Sequence, residues 1–405
     1  MSQTNPISSK EIMSKARALQ EQLVLWRRSI HRQPELSYTE TKTAALVASV
    51  LTDLGVKAET GVAKTGVVGH ISGTGQVVGL RADMDALPIQ EENGFEFDSE
   101  CSGLMHACGH DAHTAILLGA ATILKGFADE GRLPGSVRLL FQPSEENRDN
   151  ENLSGGERMV NEGVLDGLDA VFALHVDPGS LAGQVSTRTG GMLAAGDLVE
   201  ATIIGTGGHG AKPHVANDPL VLSAHFLLAV QNIVSRRLDP LESGVVSLAT
   251  IHGGTAANVI PESVKITGTM RSFTKETRQL LKDEMRRASR VIEALGGHVE
   301  LNIVDGYPPT INDGAATQAA FEGLKQLLGE ENVFEATPRM AGEDFSYMLQ
   351  KVPGCFMGLG VKGADWERDY HVHTPTFRID ESALVIGAAS LAAVAVEWMQ
   401  QKGQS

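Results

Sequence analysis

Between residues 66 and 176 the chain carries four short apolar, β-branched runs, at 66–71, 77–82, 137–141 and 170–176, the last three separated by stretches long enough for a helix. Runs apolar on both faces belong to strands in the middle of a sheet, covered by helices on each side. Two stretches, one before these runs and one between them, read as those covering helices. In 41–54, Ala44, Val47, Leu51 and Leu54 recur at helical spacing and Gly55 follows as a natural stop. Residues 113–125 form the second. The pattern predicts an α/β layer and excludes all-helical and all-β folds.

Further along, the rhythm changes. Residues 199–204 read as a strand, 219–236 as a helix, 245–251 and 264–270 as strands, 275–295 as a helix and 299–304 as a strand. In the second helix Leu281, Met285, Ala288, Ile292 and Leu295 form one apolar stripe, enough to cover one face of a sheet. The order β-α-β-β-α-β is the ferredoxin-like unit. Gly190-Gly191 and Asp305-Gly306-Tyr307-Pro308-Pro309 flank it as hinges. The expectation is a two-domain α/β protein. Its catalytic domain, with a mixed sheet, is formed by residues 1–190 and 305–405, and a ferredoxin-like lid is inserted at 191–304.

Charge narrows the partners. Fifty Asp and Glu oppose 34 Lys and Arg, leaving −16, which argues against nucleic acid or an anionic membrane surface. Three cysteines, Cys101, Cys108 and Cys355, are too few for a disulfide framework and fit a reducing, cytoplasmic setting. Residues 1–15 are polar, without the apolar core of a leader. No run approaches the ~18 apolar residues of a membrane helix, so no anchor is expected. The stretch Glu145 to Glu157 is polar enough to read as a surface loop.

The chemistry concentrates in Met105-His106-Ala107-Cys108-Gly109-His110-Asp111-Ala112-His113, three imidazoles, a thiol and a carboxyl just before a helix. These side-chain types bind borderline divalent ions. Gln142-Pro143-Ser144-Glu145-Glu146 follows a buried strand. If it is extended, its two carboxylates point to opposite sides, one toward a cation and one toward an attacking water. His175, inside an apolar run, needs a partner if buried, and His373 lies in His371-Val372-His373-Thr374-Pro375. Asp83 and Asp85 close the strand at 77–82, where α/β sheets build their sites. Asp85 is placed to orient a ligating histidine, since such imidazoles usually donate their second N–H to a carboxylate.

With these residues in view, the chain resembles the amidohydrolase branch of the aminoacylase and carboxypeptidase metallopeptidase family. That branch includes hippurate hydrolases, N-acyl-amino-acid amidohydrolases and hydrolases of indoleacetyl-amino acids. The resemblance rests on Arg27-Arg28-x-Ile30-His31, Arg81-Ala82-Asp83-Met84-Asp85-Ala86-Leu87-Pro88, His106-Ala107-Cys108-Gly109-His110-Asp111, Phe141-Gln142-Pro143-x-Glu145-Glu146, Gly207-Gly208-His209, Gly253-Gly254-Thr255-x-x-Asn258 and Gly342-Glu343-Asp344-Phe345. It implies two divalent ions held by Cys108, His110, Glu146, His175 and His373, with Glu145 as general base. Zinc or manganese is expected, and cobalt or nickel suits the same mixed donor set. The resemblance also implies a homodimer formed through the lid, with His209 supporting the developing oxyanion and Asn258 and Arg271 binding the substrate carboxylate. Arginine suits that task because its planar fork meets a carboxylate in two parallel hydrogen bonds.

The reaction expected from this set is hydrolysis of the amide in N-acyl amino acids carrying acetyl, benzoyl or indoleacetyl groups. Three rivals stand beside it. One is a carboxypeptidase or dipeptidase using the same metals. A second is a thiol hydrolase with Cys108 as nucleophile and His110 or His113 as base. The third is a metal-storing or ligand-binding protein without catalysis.

Overall fold

The structure is a computed structural model that describes residues 6–402, so residues 1–5 of the polar N-terminal stretch and 403–405 of the expected catalytic domain lie outside the described residues. The chain divides into two compact units. Met1–Gly190, Asn312–Thr337 and Tyr347–Ser405 form the first, and Gly191–Ile311 with Pro338–Ser346 form the second.

In the first unit an eight-stranded mixed sheet runs in the order Lys57–Val62, Gly66–Ile71, Ser136–Gln142, Val77–Asp83, Ala170–Leu181, Gly354–Lys362, Val185–Thr187, Val333–Glu335. The strands Ser136–Gln142, Val77–Asp83, Ala170–Leu181 and Gly354–Lys362 are mutually parallel. Their carboxyl ends therefore open on one edge, the place where open α/β sheets gather ligand-binding groups. The helix His110–Asp129 is buried along most of its length and packs against Gln20–Arg32 and Ala383–Lys402. Gly119 permits that approach: a Cβ there would lie 2.6 Å from Leu23 Cδ2 and 2.9 Å from Ala388 Cβ.

Two sequence expectations need correction in this unit. Ala383–Gln401 is long and apolar enough to cross a membrane, against the expectation that no such run exists, but 83% of its most apolar window is buried inside the protein. Small residues such as Ala388, Ala389 and Ala392 interrupt its larger apolar side chains and let it pack as a core helix. The stretch from Glu145 to Glu157 is not a solvated loop throughout. Glu145, Ser154, Gly155 and Gly156 are buried, Asp149 pairs with Lys64 at 2.6 Å and with Arg158, and the Tyr38 hydroxyl donates to the Leu153 carbonyl at 2.8 Å. Its charges are matched by partners distant in sequence, which a local count cannot see.

The second unit has an antiparallel sheet in the order Gly244–His252, Ser263–Ser272, Ala195–Ile204, His298–Val304. In chain order the elements alternate as strand, helix, strand, strand, helix, strand. Leu222, Phe226 and Val230 from Pro219–Asn232 and Leu281, Met285 and Ile292 from Lys275–Ala294 join Val199, Ile203, Val264 and Ile266 in one core. Two pieces placed by the sequence in the catalytic domain, residues 305–311 and Pro338–Ser346, cluster with this unit. The Ala194 N–H donates to the carbonyls of Arg339 and Ala341, a tie across more than 140 positions that the flanking hinge residues do not reveal.

Candidate metal centre

At the carboxyl edge of the first unit's parallel strands, four segments bring donor atoms together. Gly109, at φ +90, turns the chain into the helix that begins at His110, and a Cβ there would lie 2.5 Å from Val176 Cγ2. His373 is also in the left-handed region, at φ +60, and its N–H donates to the Ala107 carbonyl at 2.7 Å. That hydrogen bond pins the His373 turn to the Cys108 loop. Cys108 Sγ lies 3.3 Å from His175 Nε2 and 3.3 Å from His373 Nε2, and His373 Nε2 lies 3.2 Å from Glu146 Oε1.

These atoms form two overlapping sets, each within 4.8 Å of one another: Cys108 with His110 and His175, and Cys108 with Glu146 and His373. A further set joins His110 to Glu145 and Glu146. Both glutamates thus reach the same side, which corrects the extended reading of their segment. Ser144 adopts φ +49, so the chain bends there instead of alternating. The bend is held by Glu40, whose Oε1 accepts from Ser144 N–H at 2.8 Å and Tyr38 N–H at 2.9 Å. The Ser144 hydroxyl closes it by donating to the Asn147 carbonyl at 2.9 Å. Burial, then the nearby Asp85 charge, pushes the Glu40 carboxyl up to about 7. Glu40 carries no local sequence signal, because its contacts with Ser144 span 104 positions.

Asp85 organises the surroundings. Its Oδ1 accepts from His110 Nδ1 at 3.2 Å and Glu145 N–H at 3.0 Å, and its Oδ2 from Glu146 N–H at 3.0 Å and Ser37 Oγ at 2.6 Å. With Nδ1 engaged, His110 leaves Nε2 for the centre, and that buried atom has no hydrogen-bond partner. His175 is oriented in the same way, its Nδ1 donating to the Val176 carbonyl at 2.8 Å. This is the pattern in which ligating imidazoles are fixed by their second nitrogen. Asp83 binds Arg81 at 2.8 Å and His113 Nδ1 at 2.6 Å, while the Val176 N–H donates to His113 Nε2 at 2.9 Å. Both His113 nitrogens are therefore spoken for. The Arg81-x-Asp83 spacing at a strand end was the available signal for this support.

The electrostatics favour a cation. Burial opposes charge on His110, but the Asp83 charge, then the hydrogen bond and charge of Asp85, win and push it up to about 10. The negative charges that favour a proton on His110 favour a metal cation beside it as well. Burial, followed by the charges of Glu146 and Glu145, pushes the Cys108 thiol far up, the reverse of what activates a nucleophilic cysteine. Burial holds His113 down at about 4, so it is no imidazolium partner for that thiol. His110, pushed up to about 10, already holds a proton at neutral pH and is no base for the thiol either. The thiol-hydrolase reading thus lacks its electrostatic basis, whereas thiolate, imidazole and carboxylate beside an imidazole nitrogen without a hydrogen bond fit divalent cations.

The remaining expected residues lie in the second unit. His209 is exposed, and its Nδ1 accepts from the Ala211 N–H at 3.0 Å. The Asn258 carbonyl accepts from Gly210 N–H at 2.8 Å, so the His209 and Asn258 turns are joined. Arg271 lies across Gly196, where a Cβ would meet its Nη1 at 2.6 Å; the missing side chain makes room for the guanidinium.

The sequence profile of peptidase family M20/M25/M40 matches residues 79–397. Thermostable carboxypeptidase 1 of Saccharolobus solfataricus is 39% identical over 394 residues, covering 96% of this chain and 98% of that protein. IAA-amino acid hydrolase ILR1-like 2 of Arabidopsis thaliana is 42% identical over 387 residues, covering 94% and 86%. The crystal structure of the Bacillus subtilis YXEP protein, described as a dinuclear metal binding peptidase, superposes with a TM-score of 0.82 at 33% identity, covering 95% of this chain and 99% of that one. By these matches over nearly its full length, the chain belongs to peptidase family M20/M25/M40 and is a metal-dependent amidohydrolase.

Proposed function

We propose that this protein hydrolyses the amide bond of N-acyl amino acids, releasing a carboxylic acid and a free amino acid. Two divalent cations are held by Cys108, His110, Glu146, His175 and His373, and Glu145 is the general base. The observation that carries this reading is the sharing of Cys108 between two donor sets, one with His110 and His175 and one with Glu146 and His373. The dinuclear description of the YXEP protein supports the count of two. Zinc and manganese both suit the mixed sulfur, nitrogen and oxygen donors, as do cobalt and nickel.

When bound, such ions polarise the acyl carbonyl and acidify water. The rest falls to the chain. Glu145, buried and with its backbone N–H held by Asp85, takes the proton of the attacking water and delivers it to the leaving amine. His209 supports the developing oxyanion, and Asn258 and Arg271 grip the substrate carboxylate. A homodimer through the second unit completes the proposal. Val221 and Leu228, 55% and 68% exposed on Pro219–Asn232, support it, and light scattering on the purified protein tests it.

The name of the Arabidopsis relative supports an acyl amino acid substrate, while that of the Saccharolobus relative supports a second reading, a carboxypeptidase acting on free peptides. A panel of acetyl-, benzoyl- and indoleacetyl-amino acids against dipeptides and acylated peptides, assayed before and after chelation and metal restoration, decides between them. Chelator-sensitive turnover of the acyl amino acids is expected. Turnover confined to peptides overturns the first reading.

A further inference from the structure

Within the first unit, a cavity of about 330 Å³ is lined by Arg28, Phe95, Phe97, Trp366, Arg378 and Glu381, a size in the range of small-molecule sites. Its walls are a ladder of planar groups. Phe95 and Phe97 stack with centroids 5.0 Å apart. The Arg378 guanidinium lies 4.8 Å from the Phe95 ring and 4.2 Å from the Tyr370 ring, and that of Arg28 lies 4.3 Å from Phe97. Trp366 meets Tyr370 edge-on at 5.3 Å.

The two arginines differ in what answers their charge. Arg28 is satisfied by Glu381, which it grips through Nε and Nη2 at 2.6 to 3.2 Å. Arg378 donates through Nη2 to the neutral Asn93 Oδ1 at 3.0 Å, and its buried Nε has no partner. Among the described residues no carboxylate stands within ion-pair distance of it. Glu381, with the nearby Glu96 charge, answers Arg28, so the cation left unanswered beside this aromatic surface is Arg378. Unanswered guanidinium at an apolar wall is matched by a monoanion with an aromatic body. A dianion such as a phosphate monoester would face the Glu381 carboxylate with charge to spare.

We propose that this pocket binds a small aromatic carboxylate, its ring against Trp366 and the edges of Phe95 and Phe97 and its carboxylate on Arg378. The site has a route to the metal centre. Glu381 also accepts from Arg27 Nη1 at 2.9 Å, and Arg27 Nε donates to Asp111 at 3.0 Å, next to His110. Arg378 itself lies five residues after His373.

Calorimetric titration of the metal-loaded protein with phenylacetate, and with the uncharged phenylacetamide, tests the proposal. Phenylacetate is expected to bind wild type, to bind Cys108→Ser about equally, and to bind Arg378→Met and Trp366→Ala at least tenfold more weakly; phenylacetamide is expected to bind wild type at least tenfold more weakly than phenylacetate. Trp366 lies on a partly exposed turn, so its variant remains informative if Arg378→Met melts early in a thermal scan. Absence of binding to wild type, loss in Cys108→Ser, equal binding of the amide, or full retention in Trp366→Ala or in a folded Arg378→Met each overturns it. None of these outcomes depends on which amide the enzyme cleaves.

Discussion

Asp85→Asn is the sharpest test of how the centre is organised. The carboxylate accepts four hydrogen bonds, from His110 Nδ1, the Glu145 and Glu146 N–H groups and the Ser37 hydroxyl, and it is 1% exposed. Burial pushes its pKa up, but the hydrogen bond and charge of His110, with those from Ser37 and Glu146, prevail and hold it below the usual range, so it is ionised at neutral pH. An asparagine keeps the shape and loses the symmetry. If its NH₂ replaces Oδ2, Ser37 can rotate to accept, but the Glu146 N–H then faces a donor. If it replaces Oδ1, two donors, His110 Nδ1 and the Glu145 N–H, are opposed.

Even the better orientation leaves one buried N–H unanswered, at about 1–3 kcal/mol. It also removes the carboxylate that fixes the His110 tautomer. Losing such a partner of a metal-bound imidazole lowers metal affinity on the order of 10–100-fold. Titration of apo-protein with Zn²⁺ or Mn²⁺ against a competing chelator reads that affinity, and a denaturant melt of the apo form reads the stability. Ser37→Ala is the control, because it removes one of the four bonds and leaves the charge; a change of under about threefold is expected. A folded Asp85→Asn protein that binds metal within threefold of wild type would refute the assignment of Asp85 as the group that orients His110.

Further expectations follow from the same geometry. Glu145→Gln should lose on the order of 10²–10⁴-fold in kcat with metal content by elemental analysis unchanged; unchanged kcat removes Glu145 as the base. Gly109→Ala must force φ +90 on an L-residue and push a methyl to 2.5 Å from Val176 Cγ2, a loss on the order of 3 kcal/mol in denaturant unfolding; an effect under about 1 kcal/mol contradicts the close approach. Burial opposes protonation of His31, but Asp111 and then Glu91 push it up to about 9 from an ordinary value of 6.5. A group raised in the folded state stabilises fully below the unfolded value, so this contribution, at most about 3 kcal/mol, holds below pH 6.5 and fades as pH rises through 9. Unfolding free energies of wild type and His31→Gln should therefore converge between pH 6.5 and 10, and parallel curves rule this out.

Elements whose character is written in their own residues were legible in advance. The strands Gly66–Ile71 and Val77–Asp83 and the helix Lys275–Ala294 sit within a residue or two of their apolar patterns. What was not legible depends on partners remote in the chain. Ala383–Gln401 reads as apolar enough for a membrane because composition cannot report that the neighbouring Leu23 and Ile116 belong to the same core. The polar stretch after Glu146 reads as solvated because Lys64 and Tyr38, which tie it down, lie some 80 to 115 positions away. Ser144 looks like a neutral spacer until Glu40 is seen to hold its N–H and bend the chain there.

The same limit separates His110 from His113. Three residues apart on one helix, they share a face and are equally buried, so their sequence density points to both. Hydrogen-bond accounting separates them. Asp83 accepts from one nitrogen of His113 and the Val176 N–H donates to the other, which leaves it no lone pair for a cation. Its work is to hold Asp83 and the strand that carries His175. His110 has one nitrogen on Asp85 and the other buried without a hydrogen bond but facing the carboxylates of Asp83 at 3.6 Å and Glu146 at 4.0 Å, a setting that favours a proton or a metal cation on that lone pair. Residue type and spacing find the region where metal chemistry is possible. The second nitrogen of each histidine decides which imidazole is free to bind an ion and which one braces the site.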